Sequence, residues 1–317
     1  MPKVSVIVAV YNVAQYIERS LHSLFGQTLD DVEYIFVDDG SCDGSCDIVL
    51  RVLEQYPHRA AGTVILRHER NRGVAAARTT GMLAATGEYI IHCDPDDYVE
   101  LQMYETMYEA AVRSNADIVA CDHFIECDGR TEARHMTFRA TPHECLRHWY
   151  DKGCNYDMLV DKLIRRRIFT DNGILPYEGI NSGEDFGCAS RAFYYAQTLV
   201  HLPQAFYHYC RRGDSITSQR MDRAAFDCRV RLVQATCDFF SGKGFDGFCN
   251  NMKFDTKLAG RHLFDGREEE WVGLFRECHA GIISYRGNSL RARLLWMLAL
   301  RSAAAFRFMK RVVPSLR

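Results

Sequence analysis

Residues 1–40 read MPKVSVIVAVYNVAQYIERSLHSLFGQTLDDVEYIFVDDG, and the succession of patterns in that stretch decides the fold. Val4–Val10 is a nearly continuous apolar run, as is Tyr34–Val37. Between them Ile17, Leu21, Leu24 and Phe25 recur on one helical face. Strands buried on both faces lose their polar alternation, so apolar runs joined by an amphipathic helix predict a parallel sheet with helices on both faces.

The pattern continues outward. Ile48, Val49, Val52, Leu53 and Tyr56 share a helical face, and Thr63–Leu66, Tyr89–Ile91 and Ile118–Ala120 are further strand candidates. A helix is expected over Val74–Ala85, where Ala75, Ala76, Ala77, Gly81 and Ala84 invite close packing on the sheet. From about Thr141 to Thr217 the signals are mixed: a helix near Glu144–Tyr150, another after Ser182, and a strand-like Ala205–Tyr209. Beyond Ser218 no strand signal persists, so 218–317 reads as a helical appendage interrupted by Gly242, Gly244, Gly247 and Gly266.

Composition narrows the function. A chain of 317 residues, 47% hydrophobic and 25% charged, can bury one large core plus an annex. Its net charge of −2 speaks against a protein built to grip nucleic acid. The 13 cysteines are scattered, and the first strand begins with no signal-peptide pattern before it, so a reduced, cytoplasmic protein is expected. Cys121, His123 and Cys127 lack a fourth soft zinc ligand, and Cys42 with Cys46 fares no better. No apolar run reaches the roughly 18 residues that a membrane span requires.

In an open α/β sheet, ligands bind beyond the carboxyl ends of the strands. The first strand runs into Tyr11 and Asn12, the second into Asp38-Asp39-Gly40-Ser41, the fourth into Asp94-Pro95-Asp96-Asp97. Carboxylates gathered at one sheet edge repel unless a cation compensates them, which implies a divalent metal. Hard oxygen donors favour Mg²⁺ or Mn²⁺, whose remaining shell is water and substrate phosphate. A turn with a helix cap is the competing reading of each Asp cluster, although three carboxylates in four positions exceed what a cap needs. The sequence carries neither GxGxxG after the first strand nor GxxxxGK[ST], and Tyr11-Asn12-Val13-Ala14 is no phosphate-cradling glycine loop.

Taken in order, VSVIVAVYN, VDDGSCDGS, NRGVAAARTTG, DPDDY and GEDF resemble glycosyltransferase family 2 over roughly Val4 to Thr217. Ala9, Thr79 and Pro95 depart from its usual residues without removing a group that chemistry needs. The resemblance implies a GT-A fold: a Rossmann-like, mostly parallel sheet flanked by helices, with a nucleotide-sugar part at about 1–122 and an acceptor part at about 123–217. It further implies an inverting, hexosyltransferase-type enzyme of polysaccharide assembly that passes a sugar from a nucleotide-sugar, expected to be UDP-linked, to a saccharide or lipid-linked hydroxyl. A non-catalytic sugar-nucleotide binder or scaffold of the same fold is the alternative.

Residue by residue, the resemblance places the nucleoside against Ala9, Tyr11, Asp39, Asn71 and Arg78, with Asp94 near the ribose and Asp97 beside the donor. Asp96 is the metal ligand, with His208 as a second. Asp185 is the general base, or else its neighbour Glu184, although Ser182 followed by Asp185 also fits a capping box. Arg211 and Arg212 resemble the segment that closes over the diphosphate, and Lys162 is a weaker phosphate or acceptor candidate. For Arg78, and for His208 with the two arginines, a plain surface role competes.

The tail Asn288–Arg317 carries Arg291, Arg293, Arg301, Arg307, Lys310, Arg311 and Arg317 and no acidic residue. Wound as one helix, it sets Leu294, Leu298, Ala305, Phe308, Met309 and Val312 on one side, while Arg291 and Arg301 intrude. Such a basic amphipathic element suits peripheral contact with an anionic membrane on its inner face, or packing on the protein or in a homodimer.

Overall fold

The computed structural model describes residues 1–154, 156–212, 221–285 and 289–312. Among the described residues nine strands form one sheet: β1 (Val4–Val10), β2 (Val32–Asp38), β3 (Thr63–Arg67), β4 (Tyr89–His92), β5 (Tyr98–Val99), β6 (Ile118–Cys127), β7 (Arg130–Arg134), β8 (Lys162–Arg165) and β9 (Leu199–Cys210). Their order is β3-β2-β1-β4-β8-β6-β9-β5, with β7 on β6. Strands β1, β2, β3, β4, β6 and β9 run one way and β5, β7 and β8 the other. The expected mostly parallel α/β sheet is present.

The first stretch folds as its pattern demands. Ile17, Leu21, Leu24 and Phe25 of α1 (Ile17–Phe25) are buried, and Phe25 meets Tyr34 of β2 edge-on at 5.3 Å. The helices α2 (Ser45–Leu53), α3 (Val74–Ala84) and α4 (Met103–Ser114) follow. A Cβ added to Gly81 would lie 2.5 Å from Ile7 Cγ2, so α3 approaches β1 as closely as its small residues suggested.

Strands β6 and β9 run well past their apolar signals. β6 turns back in a hairpin with β7, which is exposed along its whole length, so continuous hydrophobicity is unnecessary there. In β9 the pairing jumps from Cys121–Leu202 to Asp122–Ala205, leaving Pro203, which has no N–H to donate, and Gln204 outside the ladder. The short antiparallel β8 between β4 and β6 leaves no signature in the sequence.

The chain divides into two compact units, Met1–Cys145 with Tyr156–Gln219, and Leu146–Asn155 with Arg220–Arg317. The division expected at Thr217/Ser218 lies outside the described residues. The first unit adds α5 (Pro142–Arg147), which begins in it, α6 (Arg166–Thr170) and α7 (Glu184–Tyr195). The second holds α8 (Arg223–Phe240), α9 (Asp246–Gly260), α10 (Glu268–Gly273), α11 (Leu290–Ala299) and α12 (Ala303–Val312), and no strand among its described residues. Its core gathers Phe226, Phe254, Trp271, Trp296 and Phe306.

The tail is two helices, not one. α11 stops at Ala299, and Ser302 restarts the chain by accepting the Ala305 N–H at 3.1 Å, an N-cap bond. Ser289 does the same for α11 through Ala292. The side chains of Lys310, Arg311 and Val312, and Arg317 entirely, lie outside the described residues.

Candidate active site

Because β1, β2, β4 and β9 are codirectional, their carboxyl ends bring Tyr11, Asp39, Asp94–Asp97 and Arg211–Arg212 to one edge of the sheet. The first two loops are laced together. Asn12 donates its N–H to Ser41 Oγ at 3.2 Å and accepts from Cys42 N at 3.0 Å, while Ser45 Oγ and Asp43 accept from Val13 and Ala14 at 2.9 Å. Asp38 serves the turn itself, accepting from Ser41 N at 2.8 Å.

Asp39 differs from its expected use. Only 2% exposed, it meets the His68 Nδ1 at 2.6 Å and accepts from Arg72 N at 2.9 Å and Gly73 N at 2.7 Å. Both oxygens are consumed in holding the loop that leads into α3. Tyr11, 46% exposed, and the exposed Asn71 stay open to a ligand, beside the partly exposed Ala9.

Arg78 is the hub. Its guanidinium, 4% exposed, donates to Asp94 Oδ1 at 2.8 Å and to Glu184 Oε1 at 2.9 Å, and it also contacts Asp185. Burial pulls its pKa down, but Asp94 and Glu184 more than offset this and the net shift is upward. One side chain from α3 therefore ties the Asp94 carboxylate after β4 to the acidic pair opening α7. It is a brace under the site and not the solvated helix arginine, and it leaves little surface for a nucleoside.

The opening of α7 also settles the capping question. Gly183, left-handed at φ +77°, is the N-cap and offers no side chain, so no capping box forms. Glu184 and Asp185 fall in the first turn, where the helix dipole favours negative charge. Asn181 reaches instead to α3, accepting from Ala75 N at 3.2 Å. A Cβ on Gly73 would sit 2.3 Å from that amide.

The Asp94–Asp97 cluster divides by environment. Asp96 is partly open and paired to Arg212, whose guanidinium also stacks 3.7 Å over the Tyr16 ring. Burial and then Asp94 push the Asp96 pKa up, against Arg212. Asp97 is turned inward: Tyr207 donates to it at 2.6 Å and Cys210 N at 2.7 Å, and burial raises its pKa well above the carboxylate range. It ties the segment entering β5 to β9 and is turned away from solvent.

His208 is likewise engaged. Its ring is sandwiched between Tyr98 at 4.0 Å and Phe124 at 4.5 Å, with Nδ1 3.0 Å from Glu126 and Nε2 3.0 Å from Glu100. Both ring nitrogens are therefore engaged by protein carboxylates in this structure. Lys162 is wholly buried on Asp161 at 2.6 Å and the Met158 carbonyl at 2.8 Å, so it faces no phosphate. His123 lies 3.5 Å from Asp161, while Cys121 is buried and Cys127 exposed.

Among the described residues no three His, Cys, Asp or Glu side chains converge as an ion cage. Mg²⁺ and Mn²⁺ do not need one, since one or two carboxylates and a diphosphate suffice. Asp94 and Asp96 fit that demand: they are hard donors, partly open, and burial together with the neighbouring Asp94 charge raises the Asp96 pKa, a cost that a cation would relieve.

Sequence reasoning missed Tyr16, Arg19, His68, Asn181 and Tyr207. Arg19 lies 4.2 Å over the Tyr98 ring and donates to Cys210 Sγ at 2.8 Å, lining a cavity of about 200 Å³ with Arg211 and Arg212. Only Asn181 carried a signal, its closeness to Glu184-Asp185.

A mixed sheet of this order, with an acidic cluster after β4 and a carboxylate pair opening a helix across from it, defines a GT-A glycosyltransferase. The model of glycosyl transferase family 2 matches residues 5–173, and the chain belongs to that family. It is 33% identical over 256 residues to the uncharacterized glycosyltransferase EpsJ of Bacillus subtilis, covering 78% of this chain and 73% of that one. Among solved structures, S. aureus TarS 1–349 in complex with UDP-GlcNAc matches with a TM-score of 0.72 at 18% identity, over 99% of this chain and 92% of that one. The mannosyltransferase PcManGT of Pyrobaculum calidifontis, in complex with GDP-Man and Mn²⁺, matches with a TM-score of 0.54 at 18% identity, over 99% and 86%.

Proposed function

We propose that this glycosyltransferase is an inverting, metal-assisted hexosyltransferase of polysaccharide assembly. It moves a sugar from a UDP-linked donor to a hydroxyl of a saccharide or lipid-linked acceptor in the cytoplasm. The observation that carries the reading is the Arg78 clamp, which sets the Asp94 end of the acidic cluster and the Glu184–Asp185 pair around one guanidinium. The UDP-GlcNAc complex of TarS supports uridine over the guanosine bound by the weaker match PcManGT.

In this reading the nucleoside rests on Ala9, Tyr11 and Asn71, over a loop that Asp39 holds from beneath. Arg211 and Arg212 meet the diphosphate. Neutralisation of the leaving diphosphate is the chemistry that Mn²⁺ or Mg²⁺ supplies when bound, and Asp96 with Asp94 would hold that ion. Asp185 accepts the proton of the acceptor hydroxyl as its oxygen attacks the anomeric carbon from the side opposite the diphosphate. The bond from that carbon to the diphosphate oxygen breaks as the new bond forms, and the configuration inverts. Arg78 holds Asp185 in place until the acceptor displaces that contact.

A thermal-shift panel of nucleoside diphosphates with and without Mn²⁺, read beside hydrolysis of UDP-sugars, tests the proposal, because a ligand of the native state alone raises Tm. UDP with Mn²⁺ should give the largest shift, and Asp96→Asn should lose the Mn²⁺ increment while staying folded by circular dichroism. Guanosine diphosphate leading the panel would overturn the donor assignment. Binding without any turnover would leave the non-catalytic reading in its place.

A further inference from the structure

The tail helices have a fixed rotation and an unburied apolar side. Trp296, Ala299 and Leu300 of α11, with Ala303 and Phe306 after it, are buried. Trp271 stacks on Phe306 at 4.3 Å and lies 5.9 Å from Trp296. With that face committed to the core, the opposite one must point outward. It is not polar. Leu290, Leu294, Met297 and Leu298 are spaced four, three and one apart, so they form one stripe, and they are 56%, 48%, 39% and 48% exposed. On α12, Phe308 is 63% exposed.

The charges these two helices carry themselves are all positive, and Arg307 reaches Glu268 of α10 at 3.7 Å. Arg291 and Arg301 are exposed beside the leucine stripe and Arg307 beside Phe308. From Asn288 to Arg317 there is no acidic residue against seven basic ones. An isologous dimer through this face would set arginines against arginines, with no carboxylate from the same segment to meet them. Neither helix is long or apolar enough to cross a bilayer. A helix anchored on one side, apolar on the other and flanked by arginines matches an anionic lipid surface, where acyl chains take the leucines and phosphates the guanidinium groups.

We infer that the outer face of α11 and α12, centred on Leu294 and Leu298, docks this protein on an anionic membrane surface. This specifies where a chain with a lipid-linked acceptor would meet its membrane, and it is read as binding without turnover, so its failure and that of the catalytic reading are separable.

Cosedimentation of the full chain with phosphatidylcholine vesicles, pure or containing about a third phosphatidylglycerol, tests it. The unaltered chain should bind the anionic vesicles, release them as salt rises, and leave the pure phosphatidylcholine largely unbound. Leu294→Gln with Leu298→Gln should lower partitioning about tenfold or more, while keeping its Tm and its hydrolysis of nucleotide-sugar, since both side chains are already in water. Equal partitioning by the double variant would overturn the inference, as would absence of binding by the unaltered chain. So would a dimer in light scattering that the double variant dissociates, which would make the face a contact between copies.

Discussion

At the scale of single residues, the site is a set of carboxylates sorted by their partners. Asp185→Asn keeps shape and removes basicity, so transfer should fall roughly 10²–10⁴-fold with Tm and donor binding preserved. Transfer that survives in Asp185→Asn but fails in Glu184→Gln would move the base to Glu184. Arg78→Met strands three acids; since Asp94 is a third exposed, the loss should sit near the lower end for a broken buried pair, about 3 kcal/mol by urea titration. The raised pKa of Asp96 has a signed consequence. A carboxyl raised on folding favours the folded state below its unfolded pKa and loses that contribution as pH climbs through the folded value. A divalent ion relieves the ionised pair, so Mn²⁺ should raise Tm more at about pH 7 than at about pH 5. Equal shifts would remove Asp96 from the metal site.

At the scale of elements, the loop from His68 to Gly73 is held from both ends of the site. Asp39 bonds its amides from β2, and Asn181, just ahead of α7, seats the first turn of α3. Gly73 has φ +91° and no room for a side chain beside Asn181. Gly73→Ala should therefore cost about 1–3 kcal/mol and weaken UDP binding together, because it tilts the loop bearing Asn71. Asn181→Ala, which removes a cap without overpacking, should cost about 1 kcal/mol. A Gly73→Ala protein with native Tm and native UDP affinity would show that this loop does not shape the donor site. The tail belongs to the same scale. Ser302 breaks it, and the anchoring of Trp296 and Phe306 selects which side of each helix faces water.

At the scale of the whole molecule, the cluster around Trp271 in the second unit is distinct from the buried cluster that packs α1, α2 and α4 on the sheet. Trp271 is fully buried, with Nε1 donating to the Lys257 carbonyl at 2.9 Å. Trp271→Ala should cost the second unit about 3–5 kcal/mol. Calorimetry should then show two transitions, the lower one moved by the substitution and the upper one by UDP with Mn²⁺. A single transition moved by both would mean that the units unfold as one.

What the amino-acid sequence determined by itself was local. Periodicity marked the βαβ opening, α3 and the strand ends, since an apolar run or a helical stripe records its own burial. Residue type put acids after β2 and β4 and at the start of α7. Tertiary structure decided which of those groups remain free. Asp39, Arg78, Asp97 and His208 all sit where a ligand was expected, yet each is engaged by a protein partner remote in the chain: Gly73, Glu184, Tyr207 and Glu100 respectively. The insertion of antiparallel β8 between β4 and β6 and the rotation of α11 were invisible for the same reason. Each follows from contacts between residues far apart in the chain, whose partners no local pattern specifies.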